Sequence, residues 1–204
     1  MASLKDLSEM AVLAFKNGLR LHFDSIFLLN KKSYPSSVML SVLSMEEFGK
    51  YFSLSTYVFY TRTSASDTEE EPEDELRDSS LDKEYLEKLY IHPFKQRAVF
   101  GRDGFVSSSK LLNKASNRFF ENLKQRSVYV GYERDKGKLL FDKGLTNPIN
   151  VTKEVALEQV EFLNELVKGL TEEICKGIRE LDEFEINQIL NNKLLAKLNK
   201  AIKK

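Results

Sequence analysis

Cysteine, proline and glycine are scarce in this sequence, and it has no long hydrophobic run. Its 204 residues include one cysteine, Cys175, with four prolines and nine glycines. A single cysteine excludes an intramolecular disulfide and a cysteine-based zinc site. The apolar stretches are broken by charge before the ~18 residues of a membrane span, and the early charges are unlike a signal peptide. We therefore expect a cytoplasmic protein that does not associate with membranes.

The sequence also lacks an excess of either charge. It has 31 basic and 31 acidic residues, so its net charge exerts no overall attraction on nucleic acid or membrane. The charges are unevenly placed, because residues 61–90 carry 4 bases and 11 acids whereas residues 91–153 carry 13 bases and 5 acids. The acidic part, at about 62–80, has little apolar material to bury and predicts a mobile loop. We favour a solubilising linker; the alternative is a tethered anion that shields the basic segment.

What the sequence does contain is hydrophobic periodicity. Apolar side chains recur at steps of three and four, which indicates amphipathic helices. The predicted helices cover residues 3–32, 35–60, 81–102 with a break near Pro93, 107–126, 153–183 and 186–202. Residues 127–148 instead predict a small β-hairpin or an extended loop. The expected fold is a single all-α domain over residues 1–204, an antiparallel helical bundle in which these apolar stripes are buried.

One polar cluster interrupts the second predicted helix. It reads Met45-Glu46-Glu47-Phe48-Gly49-Lys50, between two strongly apolar stretches. Charges in so apolar a helix predict ion pairs inside the fold or side chains that face a pocket. Gly49 lowers helix stability by ~1 kcal/mol relative to alanine, which suggests the close approach of another helix.

A second polar cluster surrounds Pro93, in the sequence Tyr90-Ile91-His92-Pro93-Phe94-Lys95-Gln96-Arg97. If Pro93 begins a helical turn, the side chains of His92, Lys95 and Gln96 converge. Histidine is suited to proton transfer near neutral pH, and Lys95 and Arg97 are suited to hold a phosphate. The alternative is a structural histidine beside solvated cations. When the Glu46 to Lys50 cluster is considered as well, the catalytic and the structural interpretations of this second cluster are equally supported.

The combination of the two clusters resembles a known family. Tyr34-Pro35 followed by Ser44-Met45-Glu46-Glu47-Phe48-Gly49-Lys50 is similar to the YP and EE-x-GK signature of AbiV-type abortive-infection proteins. His92 to Gln96 and Lys124 to Val130 look like later elements of that family, and the resemblance spans about 4–181. It implies a HEPN-like bundle, usually a homodimer, that halts the phage-infected cell and responds to a phage-encoded protein.

The resemblance leaves the chemistry open. Many HEPN relatives are metal-independent ribonucleases with an Arg-x4–6-His motif, but neither His22 nor His92 has an arginine at that spacing. The first hypothesis is a toxin that acts on RNA or on translation through a rearranged site. Its candidate catalytic residues are Glu46, Glu47, Lys50, His92 and Lys95. Its candidate RNA-binding or phosphate-binding residues are Gln96, Arg97, Lys124, Arg126 and Tyr129.

The second hypothesis is a non-enzymatic protein that inhibits by binding, in which the Glu, Lys and His side chains form a structural polar network. A metal-binding bundle is a third interpretation with less support. Glu46, Glu47 and His92 are too few ligands for a di-metal carboxylate site, and the sequence has no Glu-x-x-His pair. We therefore expect no metal and no cofactor.

Overall fold

A computed structural model describes residues 3–66, 79–100, 109–132, 134–135, 138–141 and 144–175 of the chain. These residues form seven α-helices and four two-residue strands, which confirms the predicted all-α class. The helices are α1 (Leu4–Asn30), α2 (Tyr34–Ser66), α3 (Ser79–Lys88), α4 (His92–Phe100), α5 (Ser109–Ser116), α6 (Phe119–Val128) and α7 (Lys153–Cys175). None of the described helices combines the length and the hydrophobicity that crossing a bilayer requires.

Helices α1 and α2 form a long antiparallel hairpin. Ser3 caps α1, because its hydroxyl accepts from the backbone N–H of Asp6 while the Asp6 carboxylate accepts from the backbone N–H of Ser3. The turn that follows α1 contains Lys32 at a φ of 61°, and Pro35 lies in the first turn of α2, where a missing N–H costs nothing. The predicted second helix is correct, but it reaches Ser66 rather than residue 60.

Helix α2 lies at the centre of the bundle and contacts α1, α4, α6 and α7. Its aromatic and aliphatic side chains pack against those of α1 and α7 in one core. The largest fully buried side chains of that core include Phe15, Phe48, Tyr51, Phe52, Phe100, Leu163 and Leu170. Since α2 is covered on several sides, a polar side chain that points inward from its middle must find its partners on the neighbouring helices.

The region around Pro93 contains two helices. Helix α3 ends at Lys88, and α4 begins at His92 with Pro93 in its first turn. The predicted single helix over 107–126 was wrong, because α5 and α6 are separated at Arg118, which has a left-handed φ of 58°. The spacing of apolar residues did not reveal this break, because Ala115 and Phe120 lie on either side of it and are both buried.

Where a small β-hairpin or an extended loop was predicted, over residues 127–148, the structure has two short antiparallel strand pairs. Strand β1 (Gly131–Tyr132) pairs with β4 (Leu145–Thr146), and β2 (Arg134–Asp135) pairs with β3 (Lys138–Leu139). Helix α7 then starts after Thr152, as expected. The predicted extension of this helix beyond 175 and the helix at 186–202 lie outside the described residues. The mobile acidic loop predicted at about 62–80 was wrong at its two ends, because residues 62–66 belong to α2 and residues 79–80 belong to α3, and residues 67–78 lie outside the described residues.

Candidate functional site

The carboxylate of Glu46 is the centre of a polar cluster inside the bundle. Glu46 lies in the middle of α2 and is 1% exposed. Its Oε2 accepts a hydrogen bond from Nδ1 of His92 at 2.6 Å, and its Oε1 accepts from Nε2 of Gln96 at 2.8 Å and from Nζ of Lys124 at 3.0 Å. The ammonium of Lys95 lies 3.7 Å from Oε2. We call Glu46, His92, Lys95, Gln96, Glu121 and Lys124 the Glu46 network.

Three helices supply the Glu46 network. Helix α4 delivers His92, Lys95 and Gln96 at positions i, i+3 and i+4, which share one helical face. The prediction that these three side chains converge is therefore confirmed, since all three lie around the Glu46 carboxylate. Helix α4 can come this near because α2 has a glycine at position 49: a Cβ there would overlap the backbone oxygen of Lys95. The close helix approach inferred from Gly49 is therefore also confirmed.

Helix α6 contributes a second carboxylate that the sequence reasoning missed. Glu121 is buried, its Oε2 lies 2.8 Å from Nζ of Lys124, and its Oε1 accepts from Nε2 of Gln125 at 2.9 Å. Burial raises the pKa of the Glu121 carboxyl, but the hydrogen bonds from Lys124 and Gln125 outweigh burial and hold the pKa below its ordinary value. The cluster therefore holds two carboxylates against two buried ammonium groups.

His92 is the member of the network that reaches solvent. Its side chain is 47% exposed, whereas Lys95, Gln96, Glu121 and Lys124 are all buried. Because Nδ1 is held by the buried carboxylate of Glu46, Nε2 is the other ring nitrogen of this half-exposed side chain. A carboxylate that accepts from one ring nitrogen fixes the tautomer and stabilises the imidazolium form, which is how a histidine is prepared to take a proton on the other nitrogen.

Three side chains of the Glu46 network are of types that bind metal cations. One ligand atom each from Glu46, His92 and Glu121 lie within 4.8 Å of one another. The ammonium of Lys124, however, contacts both carboxylates and offsets part of their negative charge. These residues therefore fit a divalent metal only if Lys124 moves away, and the expectation of a site without metal stays a prediction.

The remaining predicted site residues lie outside the network. Glu47 is partly buried on α2, and Lys50 does not pair with Glu46 one turn earlier: its ammonium lies 5.5 Å from the ring centroid of Tyr90. Arg97 is exposed on α4. Arg126 and Tyr129, at and beyond the end of α6, are also exposed. No described contact joins Glu47, Arg97 or Tyr129 to the Glu46 network.

The other histidine, His22, has a different environment. It is fully buried on α1, and its Nε2 is hydrogen-bonded to the side-chain oxygen of Asn164 on α7. Burial lowers the pKa of His22 to about 4, although the Asn164 hydrogen bond acts in the opposite direction. His22 is thus neutral near pH 7 and shielded from solvent, which leaves His92 as the histidine placed for chemistry.

Comparison with known proteins supports the family that the motifs suggested. A family model described as AbiV, of the HEPN type, matches residues 6–168. No curated protein and no solved structure matches the chain. The matched range includes nearly all of α1, the whole of α2 to α6, most of α7 and every residue of the Glu46 network. The chain therefore belongs to the AbiV family, the HEPN-type proteins of phage abortive infection.

Proposed function

We propose that this protein arrests the phage-infected cell by acting on RNA, with His92 as the reacting group. The observation that carries the proposal is the hydrogen bond from Nδ1 of half-exposed His92 to the fully buried carboxylate of Glu46. In this proposal, the hydrogen bond at Nδ1 fixes the orientation of the imidazole, and Nε2 is the nitrogen that meets the substrate. That arrangement suits a general base near neutral pH.

The chemistry that fits this arrangement is transfer of an RNA phosphodiester to its own 2′-hydroxyl. Nε2 of His92 takes the proton of the 2′-OH, the 2′-oxygen forms a bond to phosphorus, and the bond from phosphorus to the 5′-oxygen breaks as that oxygen acquires a proton from water. The Glu46 carboxylate stabilises the imidazolium that forms. This route needs a general base and water but no arginine from an Arg-x4–6-His motif, so it is compatible with the absence of that motif.

Positive charge for the phosphate comes from outside the network in this proposal. The ammonium groups of Lys95 and Lys124 are buried and paired with carboxylates, so we assign these residues to the orientation of Glu46. Lys50 on α2 and Arg97 on α4 are the other predicted cations on these two helices, and we assign them to phosphate contact. Arg126 and Tyr129 extend the predicted RNA contacts along α6.

A second candidate function is inhibition by binding alone, and one observation favours it. The charges of Glu46 and Glu121 are balanced by Lys95 and Lys124, which is what a purely structural network requires. In this alternative the protein blocks translation through a partner surface. A second copy of the chain and a phage-encoded protein are the partners that we propose for either function.

The experiment that separates the two functions compares His92→Asn with His92→Ala. The asparagine amide can replace Nδ1 as the donor to Glu46 but has no counterpart of Nε2, whereas alanine removes both. Each variant is induced in bacteria, with and without phage, while RNA integrity and incorporation of labelled amino acid are followed. Folding is checked by circular dichroism.

The RNA proposal predicts that the wild type fragments RNA and that both folded variants do not. The binding alternative predicts that amino-acid incorporation stops while RNA stays intact, and that His92→Asn behaves like the wild type. Lys50→Ala is a further comparison: it retains the whole Glu46 network, and the RNA proposal predicts that it weakens RNA cleavage.

A further inference from the structure

An exposed aromatic side chain precedes His92 by two residues. Tyr90, in the turn between α3 and α4, is 71% exposed. Its position is fixed by the backbone of that turn, where the N–H of Tyr90 donates to the oxygen of Glu87 at 3.1 Å and the N–H of Ile91 donates to the oxygen of Lys88 at 3.0 Å. The ring is thus presented to solvent by an ordered segment, two residues before His92.

A cation accompanies this ring. Nζ of Lys50 lies 5.5 Å from the Tyr90 ring centroid, within the range of a cation–π contact. The close packing of Gly49 against the backbone of Lys95 holds this part of α2 against the start of α4. Because Lys50 directly follows Gly49, this packing places Lys50 beside the turn that contains Tyr90. Tyr90 and Lys50 thus pair an exposed aromatic ring with an ammonium group, and His92 follows Tyr90 by two residues at the start of α4.

We propose that Tyr90 is a stacking platform for an unpaired nucleobase of single-stranded RNA, and that Lys50 contacts an adjoining phosphate. The inference rests on the proposed action on RNA and names its substrate as single-stranded. Every base has a flat face that an exposed tyrosine can cover, and the phosphate supplies the anion that Lys50 would meet. In a duplex the base faces are already stacked on each other, so a duplex offers Tyr90 nothing to cover.

A matched control exists elsewhere in the chain. Phe27 on α1 is 60% exposed, and Nζ of Lys31 lies 5.7 Å from its ring centroid. Phe27 and Lys31 therefore have the same arrangement as Tyr90 and Lys50, an exposed ring beside a lysine, but α1 contributes no residue to the Glu46 network. If any exposed ring beside a lysine were sufficient, Phe27 would serve as well as Tyr90.

The test measures binding separately from cleavage. The full-length protein is titrated into a fluorescein-labelled single strand of 2′-O-methyl RNA, which cannot be cut by attack of a 2′-hydroxyl, and binding is followed by fluorescence anisotropy. We expect Tyr90→Ala to raise the Kd on the order of tenfold, since stacking on one aromatic side chain accounts for about that factor. Tyr90→Phe and Phe27→Ala should bind like the wild type, and the matching duplex should bind more weakly than the single strand.

Unchanged binding by Tyr90→Ala, or no measurable binding of the single strand by the wild type, overturns the stacking proposal; Tyr90 is then better explained as part of a protein contact. Cleavage of unmodified RNA is measured in parallel. Tyr90-dependent binding without cleavage supports the platform and refutes the proposed chemistry. Cleavage that depends on His92 while Tyr90→Ala binds and cleaves normally refutes the platform and leaves the proposed function in place.

Discussion

Replacement of Glu46 by glutamine should destabilise the fold strongly, because this carboxylate is buried among cations. In Glu46→Gln the shape is kept but the negative charge that faces Lys95, Lys124 and His92 is lost. Breaking a buried ion pair by removing one partner costs about 3–5 kcal/mol. Lys124 keeps its contact with Glu121, and the glutamine oxygen can still accept one hydrogen bond. We therefore expect the lower end of that range, a loss of about 3 kcal/mol in the free energy of unfolding.

The assay for this prediction is urea unfolding at neutral pH, followed by far-ultraviolet circular dichroism. Glu47→Gln is the matched control, since Glu47 is the next residue on α2 and lies outside the Glu46 network; its effect should stay below about 1 kcal/mol. Combining Glu46→Gln with Lys124→Met should cost less than the sum of the single changes, because each change removes the other's partner. A loss for Glu46→Gln as small as that for Glu47→Gln would show that the network does not stabilise the bundle and would refute this reasoning.

Three further predictions concern Gly49, His22 and Lys124. Gly49→Ala should lower the free energy of unfolding by about 2 kcal/mol, because the new Cβ would overlap the backbone oxygen of Lys95 and force α4 away from α2; thermal unfolding measures this. His22 should make the fold acid-sensitive. Its pKa is about 4 when folded against an ordinary value of 6.5, so its contribution is fully present above pH 6.5 and falls as the pH drops toward 4, by about 3 kcal/mol in total. Lys124→Met should destabilise the fold by about 3 kcal/mol near pH 7, and by less at acid pH, because the Glu121 carboxyl, whose pKa Lys124 helps to lower, can then be protonated.

Each of these predictions has its own control. Thr56 is a partly buried position on the same helix as Gly49, and Thr56→Ala should change the melting temperature little; a Gly49→Ala protein as stable as the wild type contradicts the close approach. For His22, a His22→Gln variant should lose stability less steeply between pH 6.5 and 4, and identical pH profiles would show that burial of His22 is not the cause. For Lys124→Met, a loss that does not change with pH would contradict its role as the partner of the carboxylates.

The sequence predicted those parts of the site that depend on local spacing. His92, Lys95 and Gln96 were expected to converge because residues three and four apart share a helical face, and they do. The inward direction of Glu46 followed from its apolar neighbours on α2. In both cases the pattern of one helix contained the information.

The features that were missed depend on contacts between distant segments. Glu121 lies 75 residues after Glu46, and nothing local indicated that α6 would bring it to the same network. Its spacing to Lys124 and Gln125, at i+3 and i+4, was the available signal. The break at Arg118 was missed because both α5 and α6 turn apolar side chains to the same core. Lys50 follows Glu46 by four residues, the spacing of a helical ion pair, but Glu46 pairs with Lys95 on α4 and with Lys124 on α6 instead.

The measurement that tests the central claim most directly is cleavage of a single-stranded RNA by the purified wild type and by His92→Asn, with the fold of both verified. If Nε2 of His92 is the reacting atom, the wild type produces fragments that end in a cyclic 2′,3′-phosphate and His92→Asn produces none, although its hydrogen bond to Glu46 is retained. Cleavage by His92→Asn at the wild-type rate, or intact RNA with both proteins, would contradict the claim and leave the Glu46 network as a structural element of a binding inhibitor.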